Sequence, residues 1–382
     1  MEERIRQALA RRFDEDTAQA ARLDYLGGHA SLRLYWRVNL PPRPETPWPR
    51  EENTLMAMVF PEGVDPLASD EKEQSKKPLE VDGKPELPFV TIHRLLEHLS
   101  LPVPDIELVD LEIGVLLLED LGNEHFEDLY LEIVEDFGSS PGDLRVPTEQ
   151  LYHRAINLLV DLQSSYVRAQ LDRNNNPPDA LVRQRQFDRE LLRWELDHYI
   201  EWGLQAQYGE DVLEDAAEDL DRLFDQLVDE LLELPDTMVL RDFQSRNMLH
   251  KDGKLHLIDF QDALTGPMIY DLVALLRDSY IELPYLVVHR LVDHYTKQGF
   301  AAGLDWCDDA ELVQRAFNLQ TVQRKLKDAG RFIFIDRVKG NPDFLPYYKS
   351  SITYVRQALE MLPAYDELAD LLSEFEPAWH DD

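Results

Sequence analysis

Two carboxylates and one amide are spaced along residues 239–260 in a way that suits transfer of a phosphoryl group. Asn247 follows Asp242 by five residues, and Asp259 follows Asn247 by twelve, after a short β-like run. An Asp in the loop after one strand can accept a proton from a hydroxyl group. An Asn leaving that loop and an Asp ending the next strand can hold Mg²⁺ on a nucleotide triphosphate from two sides. Each residue alone would more often belong to an ordinary turn, but the three in this order favour phosphoryl transfer.

The composition is that of a globular, strongly acidic chain. Its 382 residues include 75 acidic and 39 basic side chains, and 44% are hydrophobic, which is ample for a large core. The length suggests about two domains. A net charge of −36 repels nucleic acids and anionic membranes, so neither is expected as a main partner. Any phosphate site must therefore be made locally, by a metal, a few Arg or Lys side chains and backbone amides.

Cysteine usage and the absence of membrane signals favour a cytoplasmic protein. The single Cys307 excludes an internal disulfide framework and a cysteine-based zinc cluster. Residues 1–6 are not followed by the apolar core of a signal peptide. No stretch approaches the ~20 apolar residues of a membrane span. We expect a cytoplasmic monomer.

The first third of the chain has the pattern of a small strand-rich lobe. Helices are expected at residues 2–13 and 89–99, whereas 61–88 is rich in Pro, Ser and charged residues and is typical of loop or disorder. Strand-like runs lie on both sides of Gly27-Gly28 and at 53–60, 106–111 and 114–118. The Gly27-Gly28 turn would let backbone N–H groups approach a phosphate, although a plain hairpin has the same pattern.

The remainder has the pattern of a mainly helical lobe that carries Asp242 and Asp259. A further helix begins near Asp271, which we expect to accept backbone N–H bonds from the loop of Asp242. Arg277 and Asp278 follow on this helix, where they could face a substrate cleft. Apolar residues recur at helical spacing in 148–168, 187–203, 211–233, 286–299, 309–330 and 346–361.

Three basic residues within four positions, Arg324, Lys325 and Lys327, contrast with the acidic composition. They form either an ordinary helix surface or the binding site of an anionic group, such as a sugar carboxylate or a phosphate. The apolar run 114–118 ends in a polar break at 119–122. This break is either an ordinary turn or a hinge between two lobes.

Several segments beyond the Asp242–Asp259 stretch share one resemblance. They are Ala30-Ser31-Leu32-Arg33, Tyr35-Trp36-Arg37, residues 116–122, Arg241-Asp242-Phe243-Gln244-Ser245-Arg246-Asn247, Ile258-Asp259-Phe260-Gln261-Asp262-Ala263, Gly266-Pro267, Tyr270-Asp271-Leu272-Val273, residues 276–281 and residues 322–327. They resemble the aminoglycoside phosphotransferase (kinase-like) superfamily. Within it, the Asp-Phe-Gln-Asp and Leu-Leu-Arg-Asp pieces resemble the bacterial anomeric N-acetylmuramate/N-acetylglucosamine kinases of cell-wall recycling. The similarity covers about residues 20 to 360.

The resemblance implies an α+β, two-lobed, protein-kinase-like fold. Residues 1–120 would form a small antiparallel-sheet lobe that binds the nucleotide, and residues 121–382 a larger, mainly helical lobe for catalysis and substrate binding. ATP and Mg²⁺ would lie in the cleft between the lobes. The acceptor would be a small molecule, the anomeric C1 hydroxyl of N-acetylmuramate or N-acetylglucosamine.

The resemblance also implies the roles of individual residues. Asp242 would be the catalytic base, while Asn247 and Asp259 would bind the metal. The residues expected to bind the nucleotide are Gly28, Ser31, Arg33, Glu119 and Leu121. The residues expected to bind the sugar are Arg246, Gln261, Asp262, Arg277, Asp278 and Arg324.

The chain departs from the family pattern in three places. Leu240 stands where the superfamily often has His, and the segment 61–88 looks longer than relatives need. The strand 53–60 has Met residues where kinases carry a phosphate-binding Lys, so Arg33 or Arg37 would have to supply that charge. Two other functions stay open: a kinase for another acceptor (an aminoglycoside, another sugar or an amino alcohol), and a nucleotide-binding pseudokinase that acts as a regulator.

Overall fold

The computed structural model describes residues 1–28, 33–42, 53–64, 67, 79–81, 83–138, 141–171, 182–213 and 216–380. An antiparallel sheet occupies the N-terminal part and helices dominate the C-terminal part, as the sequence predicts. The lobe boundary at residue 120 stays a prediction; the last strand of the sheet ends at Glu119, and the next helix begins at Phe126.

The described strands form one larger sheet and separate two-stranded pairs. They are β1 (Arg22–Gly28), β2 (Leu34–Asn39), β3 (Thr54–Val59), β4 (Leu79–Val81), β5 (Lys84–Glu86), β6 (Ile106–Asp110), β7 (Val115–Glu119), β8 (Asp236–Val239), β9 (Met248–Lys251), β10 (Lys254–Leu257) and β11 (Leu264–Pro267). Within the described ranges, β1-β2-β3-β7-β6 form one antiparallel sheet in that order. The strands β4 and β5, β9 and β10, and β8 and β11 pair with each other.

Every expected helix is present, and the helices at residues 15–20, 126–137 and 366–375 were not predicted from the sequence. The helices are α1 (Glu2–Arg12), α2 (Glu15–Ala20), α3 (Pro88–His98), α4 (Phe126–Phe137), α5 (Pro141–Leu171), α6 (Arg189–His198), α7 (Ala217–Leu232), α8 (Tyr270–Leu276), α9 (Tyr285–Ala302), α10 (Ala310–Lys339), α11 (Pro346–Leu359) and α12 (Asp366–Phe375). A π-helical segment, Tyr199–Gln205, continues α6. Helix α5 begins before the predicted residue 148 and contains Pro147, because a proline removes one hydrogen bond without preventing a turn before it. None of the helices in the described part of the chain has the length and apolarity to cross a membrane.

The two faces of the large sheet pack against different partners. Trp36 and Val38 of β2 join Ile5 of α1 in one apolar cluster. Side chains alternate along a strand, so Tyr35 and Arg37 lie on the opposite face, where Tyr35 packs against the main core. This second face is therefore the one turned toward the helical lobe.

Helix α3 connects the sheet to the strand region of the helical lobe. Its Phe89 ring stacks on Phe260, with centroids 4.9 Å apart. Just before α3, β4 and β5 pair around Gly83, whose φ of 73° favours glycine. The interpretation of 61–88 as loop or disorder is therefore wrong for its last part. The pair has an apolar anchor, because Leu79 is fully buried.

Helix α10 crosses the end of α6 closely at Gly330. A Cβ at this position would lie 2.8 Å from the carbonyl oxygen of His198 and 2.8 Å from Cα of Tyr199. A larger residue would therefore push the helices apart. The close crossing brings Glu195 of α6 and Gln323 of α10 within hydrogen-bond distance of each other.

A buried carboxylate fastens the C-terminal end to the π-helical segment. Glu376 is 1% exposed and accepts hydrogen bonds from the hydroxyl groups of Tyr199 (3.2 Å), Tyr208 (3.3 Å) and Tyr348. Burial alone would make this carboxylate costly, but three donors satisfy it. The C-terminal segment is thus a part of the helical core.

Replacing Glu376 by Ala should lower the free energy of unfolding by about 3 kcal/mol, because buried donors lose their acceptor. Urea denaturation followed by tryptophan fluorescence measures this change. The control is Glu374→Ala, at an exposed position of α12, which should leave the urea midpoint nearly unchanged. Equal midpoints for the two variants would contradict the fastening role.

Candidate active site

Asp271 holds the loop between β8 and β9 from inside. Its carboxylate accepts hydrogen bonds from the backbone N–H groups of Leu240 (2.7 Å) and Arg241 (3.1 Å). This confirms that Asp271 supports the loop. Burial raises the pKa of Asp271 to about 7, although the two N–H groups and Arg324 favour its ionised form. Arg241 adopts a left-handed φ of 72°, a strained conformation that the hydrogen bond to its N–H helps to hold.

Asp278 is a second anchor of the same loop. One carboxylate oxygen accepts a hydrogen bond from the backbone N–H of Ser245 (2.8 Å), and the other from that of Tyr280 (3.1 Å). The residue is 2% exposed. The structure therefore places Asp278, which we expected to bind the sugar, where it supports the backbone of the loop.

Asp242, Asn247 and Asp259 are brought together by the two loops. The amide nitrogen of Asn247 donates to the carbonyl oxygen of Asp242 (2.9 Å), and the backbone carbonyl of Asn247 accepts from Ile258 (3.1 Å). The carboxylates of Asp242 and Asp259 are 43% and 44% exposed. Burial raises the pKa of Asp259, Arg33 lowers it, and the charge of Asp242 raises it again. The two carboxylates are therefore close enough for the charge of Asp242 to affect the pKa of Asp259.

Asn247 and Asp259 fit a Mg²⁺ ion that is shared with a nucleotide. Mg²⁺ takes oxygen ligands and is usually held by one or two carboxylates together with phosphates and waters. No cluster of three or more His, Cys, Asp or Glu side chains in the described part of the chain could hold a metal. The carboxylate of Asp259 and the amide oxygen of Asn247 therefore suit a Mg²⁺ ion whose other ligands are nucleotide phosphates and waters.

Arg33 supplies a positive charge beside the expected metal ligand. Its Nη1 donates to Oε1 of Gln261 (2.8 Å) and lies 3.8 Å from Oδ1 of Asp259. Arg37 instead donates two hydrogen bonds to Asp120, at 2.6 and 2.9 Å. Of the two candidates for the charge of the missing Lys, Arg33 is the one near the expected metal ligand, whereas Arg37 pairs with the polar break after β7.

Gln261 links the predicted metal ligand to a buried arginine. Its side-chain Nε2 donates to the carboxylates of Asp259 (3.0 Å) and Asp262 (3.0 Å), and its backbone carbonyl oxygen accepts a hydrogen bond from Arg185 (3.0 Å). Arg185 is 4% exposed, and burial lowers its pKa to about 10 while the charge of Asp262 opposes that shift. No motif in the sequence marks Arg185, because its partner is a backbone carbonyl 76 residues away.

The residues of the polar break lie at and after the end of β7. The backbone N–H of Glu119 donates to the carbonyl of Asp105 (2.8 Å), and Leu121 is 4% exposed. Lys251 donates to the carbonyl oxygen of Asp120 (2.7 Å), so strand β9 contacts the polar break directly.

Gly27 and Gly28, which the sequence predicts in a turn, are the last two residues of β1. Gly28 ends β1 opposite Leu34 of β2, and Gly27 has a φ of 104° at an irregularity in the strand register. Such a conformation favours glycine. Ser31, which we expected to bind the nucleotide, lies outside the described residues.

Arg324 approaches the expected base from the interior. It is 4% exposed; its Nη1 donates to the carbonyl oxygen of Arg241 (2.8 Å), and its Nη2 lies 3.5 Å from Oδ1 of Asp242. Lys325, its neighbour, is fully buried. The interpretation of these residues as an ordinary helix surface is therefore wrong for Arg324 and Lys325.

Glu195 balances the positive charge beneath the loop. It is fully buried and accepts from Nη2 of Arg241 (3.0 Å) and from Gln323 (2.8 Å). Burial lowers the pKa of Arg241, but the charges of Glu195, Tyr270, Asp242 and Asp262 together outweigh burial, so the pKa of Arg241 is raised overall. The sequence pattern did not reveal Glu195, because an acid on an amphipathic helix is usually exposed.

The remaining two arginines expected to bind sugar lie in different places. Arg246, in the loop itself, donates to Glu127 (2.7 Å) and covers the ring of Tyr280 at 3.6 Å. Arg277 is 3% exposed and donates to Gln357 of α11 (3.1 Å). The structure thus places Arg246 at the loop surface and Arg277 inside the helical core.

The chain is similar in sequence to known phosphotransferases. Residues 83–308, more than half of the chain, match the phosphotransferase enzyme family. An N-acetylmuramate/N-acetylglucosamine kinase of Pseudomonas aeruginosa is 31% identical over 286 residues, which cover 75% of this chain and 77% of that protein. Its counterpart of the same name in Pseudomonas putida is 30% identical over 289 residues, covering 76% and 78%.

The fold also matches solved structures. The crystal structure of a choline kinase from Cryptosporidium parvum superposes with a TM-score of 0.61 at 12% identity and covers 96% of this chain and 98% of that chain. At so low an identity the likeness shows the fold alone, which is the expected two-lobed kinase-like fold. From the family match and the identity to curated kinases, this chain is a phosphotransferase that belongs to the phosphotransferase enzyme family.

Proposed function

We propose that the protein is an ATP- and Mg²⁺-dependent amino-sugar kinase. Its acceptor would be the anomeric C1 hydroxyl of N-acetylglucosamine, N-acetylmuramate or both, as in peptidoglycan recycling. The observation that carries this proposal is the juxtaposition of Asp242, Asn247 and Asp259 in a chain 31% identical to an N-acetylmuramate/N-acetylglucosamine kinase. The enzyme would act on a free small molecule, as a cytoplasmic monomer.

Asp242 would orient the sugar hydroxyl and take its proton. An anomeric hydroxyl is more acidic than an ordinary alcohol, so orientation contributes more than proton abstraction. As the bond from the C1 oxygen to the γ-phosphorus forms, the bond to the β–γ bridging oxygen breaks, which yields a sugar 1-phosphate and ADP. Arg324, with its Nη2 3.5 Å from the Asp242 carboxylate, helps to fix the direction of that carboxylate.

Asn247 and Asp259 would bind the metal through an amide oxygen and a carboxylate. When bound, Mg²⁺ neutralises charge on the β- and γ-phosphates. Gln261 orients the Asp259 carboxylate with a 3.0 Å hydrogen bond, and the bond from Asn247 to the carbonyl of Asp242 fixes the amide. The two loops would thus position the expected metal ligands and the expected base relative to each other.

The nucleotide would lie between the sheet and the helical lobe. Backbone groups of Glu119 and Leu121 would meet the adenine, and Gly28 and Ser31 would approach the phosphates. Arg33 would contribute the charge that kinases usually obtain from a Lys.

Replacing Arg33 by Met should raise the KM for ATP roughly ten- to hundredfold, since a charge-assisted hydrogen bond contributes about 1.5–3 kcal/mol. Steady-state kinetics with ATP as the varied substrate measures this effect. The matched control is Arg22→Met, at a 73% exposed position of β1, which should leave the KM for ATP unchanged. An unchanged KM in the Arg33 variant would show that the phosphate charge comes from elsewhere.

An acceptor panel tests the function itself. ATP consumption with Mg²⁺ is measured with N-acetylglucosamine, N-acetylmuramate, other sugars, an amino alcohol and an aminoglycoside, and the phosphate position is read by NMR. Rapid turnover to a 1-phosphate of an N-acetylated amino sugar supports the proposal. Turnover only with an aminoglycoside or an amino alcohol would show that this compound, and not an amino sugar, is the acceptor. ATP binding without any turnover would favour a pseudokinase.

A further inference from the structure

Asp328 lies one helical turn beyond Arg324 on α10 and on the same side of the helix. Residues four apart on a helix have Cβ atoms about 5–6 Å apart. Burial lowers the pKa of Arg324, and the charges of Asp328 and Asp242 are among those that raise it well above its usual value. Asp328 therefore lies one turn of helix from the point where Arg324 meets the expected base.

Two lysines hold the carboxylate of Asp328. Lys325 contacts one of its oxygens at 3.0 Å, and Lys327 contacts the other at 3.0 Å. Burial favours the neutral acid, but Lys327, Lys325 and Arg324 together hold the pKa of Asp328 well below its usual range. The carboxylate is thus ionised at any pH suited to the enzyme, and it can only accept hydrogen bonds.

The carboxylate of Asp328 retains acceptor capacity. A carboxylate has about four lone-pair positions, and the two lysines occupy one on each oxygen. The side chain is still 15% exposed. Further hydrogen bonds must therefore come from that exposed side, where water or a ligand can donate.

Lys325 links Asp328 to the segment that carries Tyr280, because its Nζ also donates to Oγ of Ser279 (2.8 Å). Burial raises the pKa of Tyr280 to about 12, Arg246 opposes the rise, and the charges of Asp278 and Asp328 add to it. The ring of Tyr347 meets that of Tyr280 edge to face, with centroids 5.3 Å apart. Aromatic walls with a few polar groups are typical of small-molecule sites.

We propose that Asp328 is a specificity residue of the acceptor site, where it accepts hydrogen bonds from one or two ring hydroxyl groups of the sugar while Asp242 faces the C1 hydroxyl. This inference rests on the proposed function. Because both lysines are already paired with Asp328, recognition here selects a hydrogen-bond donor and not an anion. An acceptor that lacks the hydroxyl would leave the charged oxygen without its partner.

The test compares wild-type enzyme and Asp328→Asn on N-acetylglucosamine and its 3-, 4- and 6-deoxy analogues. In wild type, removing one of these hydroxyls should lower kcat/KM roughly ten- to hundredfold. In Asp328→Asn, kcat/KM for N-acetylglucosamine should fall by a similar factor. The difference in kcat/KM between N-acetylglucosamine and that deoxy analogue should therefore disappear. The KM for ATP should not change. Asp336→Asn, two turns further along α10 at a 28% exposed position beside Arg337, is the matched control.

Asp328→Glu keeps the charge that the lysines need and shifts the carboxylate by one methylene. This variant should keep the melting temperature of wild type but lose the difference in kcat/KM between N-acetylglucosamine and the deoxy analogue. Such a result would separate a role in sugar recognition from a role in structural support. Three results would overturn the inference alone: no wild-type preference among the deoxy sugars, full discrimination in Asp328→Glu, or the same loss for every sugar in a stable Asp328→Asn. A wild-type enzyme that phosphorylates no N-acetylated amino sugar would overturn the proposed function together with this inference.

Discussion

Asp242→Asn should lower kcat about 10²–10⁴-fold, the usual contribution of a general base, while the affinity for ATP stays near that of wild type. Asn has almost the size of Asp, but it cannot take a proton from the sugar. The hydrogen bond from Asn247 goes to the backbone carbonyl of residue 242 and not to its side chain. The loop and the metal ligands should therefore keep their positions in the variant.

Single-turnover kinetics and an ATP titration separate the two effects. Asp252→Asn is the control, because it makes the same substitution at an exposed turn with a φ of 51°, which Asn tolerates. Near-native turnover in Asp242→Asn would refute the role of this residue as the base. A joint loss of turnover and ATP affinity would show instead that the substitution disturbs the loop.

Asp259→Asn should remove the Mg²⁺-dependent part of nucleotide binding. The φ of 58° at this residue strains most side chains, but Asn accepts it, so Asn is a better test than Ala. Mutating a residue that hydrogen-bonds to a metal ligand typically lowers the metal affinity 10–100-fold. Removing the charge of the ligand itself should therefore lower the metal affinity roughly 100-fold or more.

Isothermal titration with ATP, with and without Mg²⁺, measures this difference. Without the metal, wild type and variant should bind ATP equally or the variant slightly better, because one negative charge near the phosphates is gone. With Mg²⁺, only wild type should gain affinity. An equal gain in both proteins would count against Asp259 as a metal ligand.

The structure accounts for one departure from the family pattern. Leu240 replaces a His that often precedes the base in relatives, yet the loop is held through the backbone N–H of Leu240 and that of Arg241. A backbone donor does not depend on the side chain at that position. The loop therefore does not need a His at this position to hold its backbone.

The sequence by itself determined the features that depend on local order. Periods of two and of about 3.6 residues predicted the strands and helices, because burying one face of an element imposes that period. Asp242, Asn247 and Asp259 could be recognised because a loop and a hairpin set their spacing along the chain. Even Asp271 was assigned correctly, since a carboxylate at a helix start beside a loop is a natural acceptor for backbone N–H groups.

Only the tertiary structure decided which charged residues are buried and what balances them. Glu195 meets Arg241 46 positions away, and Arg324 meets the carbonyl of Arg241 83 positions away. A charged residue on a helix is usually exposed, so the sequence pattern cannot show that distant partners neutralise it. The sequence therefore indicates the candidate residues for phosphoryl transfer, whereas the fold places Arg324 beside Asp242.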